Sequence, residues 1–193
     1  MLRNKNFEND IINSINVLHK SGIILYPTDA IWGIGCDATN EVAIKKIYLL
    51  KKREEKKSMI ILLALLSEIQ NYVFNPSVKI IEFISKETKP TTAIFENAIN
   101  LPHELINADG TIAIRIVKDE FCQMLIGQMG GPLVSTSANI SGDQYPGNFN
   151  DINEVIKNGV DYIVQHRQND LHIAAPSSII KWNKDGIPTI IRN

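Results

Sequence analysis

The sequence is short of the features that announce several functions. It holds only two cysteines, Cys36 and Cys122, far apart and in no CxxC pair, which argues against a disulfide framework or a structural zinc site. Its histidines, His19, His103, His166 and His172, are scattered without ligand-like spacing, and His19 reads as a residue that helps to end a helix. The longest apolar run, Met59 to Leu66, falls far short of the ~20 residues a membrane helix needs. Near the N-terminus, Asn4, Asn6, Asn9 and Asn13 stand where a signal peptide would be apolar. A soluble, cytoplasmic protein without a membrane partner is the expectation. Charge of one sign is missing too. The 20 Lys and Arg against 21 Asp and Glu leave a net charge of -1, which speaks against a generally basic nucleic-acid binder but not against a local basic pocket. No repeat, low-complexity tract or Pro/Ser-rich linker interrupts the chain, so one continuous domain over residues 1–193 is expected.

What is present is an alternation of helical and strand patterns. A chain of 193 residues with 44% hydrophobic and 21% charged content can bury roughly 70% of its unfolded surface as one globular unit. Phe7, Ile11, Ile12, Ile15 and Leu18 recur at helical spacing, with Gly22 where the helix would be capped and a strand at Ile23–Tyr26 after it. Asn40 is the expected N-cap of a second helix with an apolar face of Ala43, Ile44, Ile47 and Tyr48, stopping near Lys51. A strand at Met59–Leu63 and amphipathic helices around 67–74 and 77–86, parted by Pro76, follow.

In the run Thr111–Ile116, strand alternation sends Ile112, Ile114 and Ile116 to a core face and Thr111, Ala113 and Arg115 to a face able to meet a ligand. A helix begun by Asp119, a Gly130-Gly131-Pro132 turn, a strand at Leu133–Thr136, a helix near 151–158, a strand at Tyr162–Gln165 and a closing hairpin of Ser178–Trp182 with Ile187–Ile191 complete an α/β chain.

Polar clusters gather at the ends of these elements, the usual location of α/β ligand sites: Tyr26-Pro27-Thr28-Asp29, Lys51–Lys57, Ser137-Ala138-Asn139 and Arg192. Singly, the run Lys51–Lys57 reads as a solvated surface segment with offset charges, and Ser-Ala-Asn as a polar turn. If the helix ends near Lys51, an extended continuation puts Lys51 and Arg53 on one side, where an ammonium and a guanidinium fork grip a polyphosphate. Arg115 fits two roles equally, salt-bridge partner or carboxylate anchor.

In order, Tyr26-Pro27-Thr28-Asp29 with Gly33 and Gly35, Lys51-x-Arg53 with Lys57, Ser135-Thr136-Ser137-Ala138-Asn139, Pro176-Ser177-Ser178 and Arg192 strongly resemble the YrdC/TsaC family, over nearly the whole chain. The resemblance implies a twisted mixed sheet flanked by helices, with a concave basic cavity for ATP and L-threonine. It implies nucleotide-side roles for Lys51, Arg53, Lys57, Thr111, Ser137, Asn139, Asn148 and Arg192, Lys51 and Arg53 being the catalytic pair. Thr28, Arg115, Ser137 and Ser177 would hold threonine. The implied activity is L-threonylcarbamoyladenylate synthesis from L-threonine, bicarbonate and ATP, with Mg2+ accompanying ATP and no metal ligands marked by any motif. The product would pass to a threonylcarbamoyl-transferase complex acting on tRNA.

Departures touch substrate detail: Ala30 where many members have threonine, Glu54 in place of the proline that often follows K-x-R, and Lys89-Pro90-Thr91-Thr92 for a Trp-Pro-Gly-Pro-type segment. With Asn193 as the last residue, a single-domain form is expected, without the extra C-terminal domain of longer relatives. Two rivals share the fold: a module that binds double-stranded RNA or tRNA without catalysis, and the carbamoyl-transfer module of hydrogenase-maturation proteins.

Overall fold

Local signals place most of the helices. Asn40 caps α2 (Glu41–Leu50) by accepting the Ala43 N–H at 3.0 Å, and its stripe of Ala43, Ile44, Ile47 and Tyr48 is buried. Asp119 caps α4 (Glu120–Met129) through the Cys122 N–H at 2.9 Å, and Gly130 ends it in the left-handed region at φ 77. The first helix, α1 (Glu8–Leu18), ends differently from expectation. Ser21 takes the left-handed turn at φ 58, whereas Gly22 is needed for space, because a Cβ there would lie 2.4 Å from Val17 Cγ1. The computed structural model describes residues 7–54, 59–182 and 187–192.

The remaining elements are β1 (Ile24–Tyr26), β2 (Gly33–Gly35), β3 (Ile60–Leu63), α3 (Val78–Lys86), β4 (Thr91–Phe95), β5 (Ile112–Ile116), β6 (Leu133–Ser137), α5 (Glu154–Gly159), β7 (Tyr162–Ile163), β8 (Ser178–Trp182) and β9 (Pro188–Arg192). In place of the helix expected at 67–74 stands a 3-10 turn at Leu66–Asn71. Tertiary pairing ends it: the Phe74 N–H goes to the Asn97 carbonyl and the Tyr72 carbonyl accepts the Ile99 N–H, both at 2.9 Å. The turn expected at 183–186 lies outside the described residues.

Among the described residues nine strands form one mixed sheet in the order β7-β1-β2-β6-β3-β5-β4-β8-β9. Pairs β1–β7, β3–β5 and β4–β8 are parallel, and the other neighbours antiparallel. Helix α1 packs against α4, β1 and β7; α4 meets β3, α3 meets β4, and α2 packs with α5. Strand β5 shows how the faces divide. Ile112 and Ile114 are buried in the core, and Ala113 and Arg115 face a cavity on the sheet's other side, as the alternation predicts.

Candidate functional site

The open face of the sheet forms a cavity of about 410 Å3. Its floor is built from paired rungs: Gly33 opposite Ser137, Ile60 opposite Ser135, and Ala113 opposite Ile94. Gly35 lets the strands close, since a Cβ there would sit 2.7 Å from both the Tyr26 ring and the Val134 carbonyl oxygen. A second compartment of about 640 Å3 adjoins it, and the two share Thr28, Trp32 and Pro176 in their walls.

Three guanidinium groups from three separate elements line the smaller compartment: Arg53 after α2, Arg115 on β5 and Arg192 on β9. Arg115 is 3% exposed and its Nη2 lies 3.3 Å from Asp29 Oδ1, while its Nε has no hydrogen-bond partner. Arg192 donates from Nε and Nη2 to the Ser177 carbonyl oxygen at 3.1 and 2.8 Å. The Ser177 hydroxyl lies 2.9 Å from that of Thr92. Burial lowers the pKa of Arg53 and of Arg192 from their ordinary values, with the charge of Arg115 adding to the effect on Arg192.

Lys51 is placed otherwise than an extended continuation of α2 would have it. Lys52 turns into the left-handed region at φ 50, and the Arg53 N–H closes back on the Tyr48 carbonyl at 2.9 Å, satisfying the helix end. Lys51, still helical as the C-cap of α2 at φ -81 and ψ -5, points beneath the loop after β6. It is 1% exposed and donates to the carbonyl oxygens of Ser137 and of Asn139, the latter at 2.6 Å. Burial pushes its pKa down to about 7, with the charge of Arg53 acting in the same direction. Arg53 reaches the cavity and Lys51 holds the cavity's loop.

The structure also places the other expected residues. Ser137 and Asn139 line the smaller compartment, and the Asn139 amide donates to the Asp143 carbonyl at 2.7 Å. Thr28 lines both compartments. Its hydroxyl donates to the Ile31 carbonyl at 2.7 Å and accepts the Ala30 N–H at 3.0 Å. Asn148 lines the larger compartment, where its side chain accepts the Asn150 N–H at 3.0 Å. Thr111 lies just before β5 and is absent from the cavity lining. Its hydroxyl donates to Asp109 at 2.6 Å and accepts from the Asn107 amide at 3.0 Å, and of these neighbours only Asn107 reaches the cavity. Lys57 lies outside the described residues.

Residues that sequence reasoning left unassigned join the walls: Asp29, Trp32, Ser135, Tyr145 and Arg167. Asp29 and Ser135 fall inside the quoted motifs, so position next to a recognised residue was a signal. Tyr145 and Arg167 carry none, because loops far away in sequence deliver them. Arg167 is ion-paired with Asp119 at 2.5 Å. His166 packs on the rings of Phe7 and Phe121, a core role. Among the described residues no group of three or more His, Cys, Asp or Glu is placed to hold a metal ion, and no helix is long and apolar enough to cross a membrane.

Fold and cavity together define an α/β protein with three guanidinium groups on the open face of its mixed sheet. A profile for the Sua5/YciO/YrdC domain, described as "Telomere recombination", matches residues 16–193, and the chain belongs to that family. It is 34% identical to the threonylcarbamoyl-AMP synthase of Idiomarina loihiensis over 148 residues, covering 75% of this chain and 80% of that one. To the enzyme of the same name from Escherichia coli K12 it is 32% identical over 143 residues, covering 72% and 75%. Its fold is that of P. abyssi Sua5 complexed with L-threonine, with a TM-score of 0.84 at 20% identity; 96% of this chain matches, spanning 54% of that one. E. coli YciO has a TM-score of 0.81 at 23% identity, with 96% of this chain matched to 89% of that chain.

Proposed function

We propose that this protein is an L-threonylcarbamoyladenylate synthase, joining L-threonine, bicarbonate and ATP into threonylcarbamoyl-AMP, pyrophosphate and water for the modification of tRNA. The observation that carries the reading is the convergence of Arg53, Arg115 and Arg192 on one cavity together with Ser137, Asn139 and Ser177. Every reactant is an anion or carries a carboxylate. Fixed guanidinium groups and neutral donors stabilise charge developing at phosphorus without a covalent nucleophile. The identity to synthases at 32–34% supports the same reading.

In this reading Arg115, with Thr28 and Ser177, holds threonine by its carboxylate. The amine, carrying carbon dioxide as a carbamate, presents an oxygen to the α-phosphorus of ATP; that bond forms as the bond to pyrophosphate breaks. Arg53 and Arg192 sit where they neutralise phosphate charge, and Ser137 and Asn139 offer side-chain donors. Lys51 contributes by fixing the Ser137–Asn139 loop through its carbonyls. Asn148 places the nucleotide's contact with the larger compartment, and Thr111 acts only through Asn107. Mg2+ enters as part of the ATP substrate. Transfer to tRNA by a following complex, in the cytoplasm, completes the proposal.

The test is pyrophosphate release from ATP and bicarbonate with and without L-threonine, alongside Arg53→Ala. Threonine-dependent release that falls about 10- to 150-fold in the variant is expected. Folded protein that releases no pyrophosphate but binds duplex RNA with steep salt dependence overturns the reading in favour of a binding module.

A further inference from the structure

We propose that Asp29 is the positioning residue that orients Arg115 for the amino-acid carboxylate, an inference that rests on the synthase reading. On β5 Arg115 stands opposite Thr92, whose hydroxyl is engaged with that of Ser177 at 2.9 Å, and shares its face of the strand with Ala113. Among the described residues its one charged partner is Asp29, at 3.3 Å, and Nε is left without a partner. A guanidinium carries five N–H donors, so one such contact leaves capacity for a second carboxylate. An arginine side chain also has several rotatable bonds, and holding it in place before a ligand arrives reduces the entropy lost on binding.

Asp29 is built to do that holding. It belongs to the β1–β2 turn, whose shape the Thr28 hydroxyl sets by bonding both Ile31 and Ala30. Its Oδ2 accepts the Lys118 N–H at 3.3 Å, just past the end of the strand that carries Arg115. One oxygen thus ties the carboxylate to the backbone while the other, with no hydrogen bond of its own, faces the guanidinium. Asp29 lines the larger compartment and Arg115 the smaller, so the pair stands in the partition and Arg115 is drawn to one side of it.

Simple charge and positioning predict opposite outcomes. A carboxylate beside Arg115 weakens its attraction for a second carboxylate, so if charge alone mattered Asp29→Asn would bind threonine more tightly. If Asp29 positions the guanidinium, the variant binds it less tightly. The experiment measures KM for threonine and for ATP by pyrophosphate release, with thermal unfolding of each variant. Asp29→Asn is expected to raise KM for threonine about 10-fold with KM for ATP within about twofold, and Asp29→Glu to return the threonine KM to within about threefold of wild type. An unchanged or lower threonine KM in Asp29→Asn overturns the proposal, as does an equal rise in both constants. Asp29→Ser repeats the test if the Asn variant fails to fold, with the same expectation and the same overturning results. A wild type without threonine-dependent turnover overturns the synthase reading and this inference with it; turnover in the wild type with an unaltered Asp29→Asn overturns the inference alone.

Discussion

Lys51 and Arg192 hold opposite margins of the same cavity, and both spend their donors on backbone carbonyls. Lys51 does so at 1% exposure, beneath the loop after β6, where the carbonyls of Ser137 and Asn139 are its partners. Arg192 does so from an exposed strand at the end of the sheet, gripping the carbonyl of Ser177. The burial differs, and so does the consequence of removing each cation. Inside, the Asn139 carbonyl loses its donor under a half-buried loop while that of Ser137 keeps the Asn139 N–H at 2.9 Å; at the edge, water replaces the lost partner. One margin belongs to the folding core and the other to the exposed edge of the sheet.

The largest effect that sharpens this contrast is the stability of Lys51→Met. It keeps most of the side chain's volume and removes the ammonium, leaving the Ser137 and Asn139 carbonyls without that donor, and is expected to cost about 2–4 kcal/mol in urea unfolding. A loss as small as that at Arg192 would break the contrast. Next comes Arg192→Ala, expected to raise KM for ATP about 3- to 10-fold while shifting stability by less than about 1 kcal/mol. Equal loss of stability at both positions would show that the two margins fold as one.

A pH series probes the inner margin without a further substitution. The pKa of Lys51 falls to about 7 in the fold, against 10.5 as its ordinary value. Between those values the unfolded chain binds a proton that the folded chain lacks, so stability rises with pH across the window and the term is flat below and above it. Measured as wild type minus Lys51→Met, the rise is at most about 1.4 kcal/mol per pH unit. A difference that is constant from pH 7 to 10 would mean that the ammonium stays charged against its two carbonyls.

How far the sequence disclosed all this depends on what each element uses to define itself. Helices α2 and α4 were legible because Asn40 and Asp119 act within four residues of their own chain. Strand β5 was legible because its isoleucines alternate. Strand β2 was not, since Gly33 and Gly35 erase any alternation and owe their places to the Tyr26 ring and the β6 backbone. β4, beginning at Thr91-Thr92, was hidden for a similar reason: its pairing with β5 and β8 comes from distant chain. In the site, Arg53, Arg115, Ser137, Asn139, Ser177 and Arg192 were identified from motif and alternation and do meet at one cavity. The relation of Lys51 to Arg53 was missed, because Lys51 stays helical as the C-cap of α2 and the left-handed Lys52 then turns the chain before Arg53, a conformation that no residue type there announces.

Thr111 carries the smallest prediction and tests the strand argument at its limit. Alternation along β5 puts Thr111 on the face of Ala113 and Arg115, but the strand begins only at Ile112, and alternation holds only inside a strand. One residue before it, the Thr111 N–H bonds to Asp109 Oδ1 at 3.1 Å and its hydroxyl to the same atom at 2.6 Å, the geometry of an Asx turn. That carboxylate's second oxygen lies 3.3 Å from the Lys181 ammonium on β8, so the hydroxyl belongs to a surface bridge from the loop before β5 to β8, two strands away. The same contacts hold the Asp109 carboxyl below its usual range, the Thr111 hydroxyl contributing most. Thr111→Ala should therefore cost about 1 kcal/mol of stability, and Thr111→Ser almost none. Both should leave kcat/KM for ATP within about twofold of wild type, since among the described residues that Thr111 bonds, Asn107 alone lines the cavity. A tenfold loss in Thr111→Ala, restored by serine, would mean that the hydroxyl leaves Asp109 for the nucleotide and that the alternation described the working state better than the resting one.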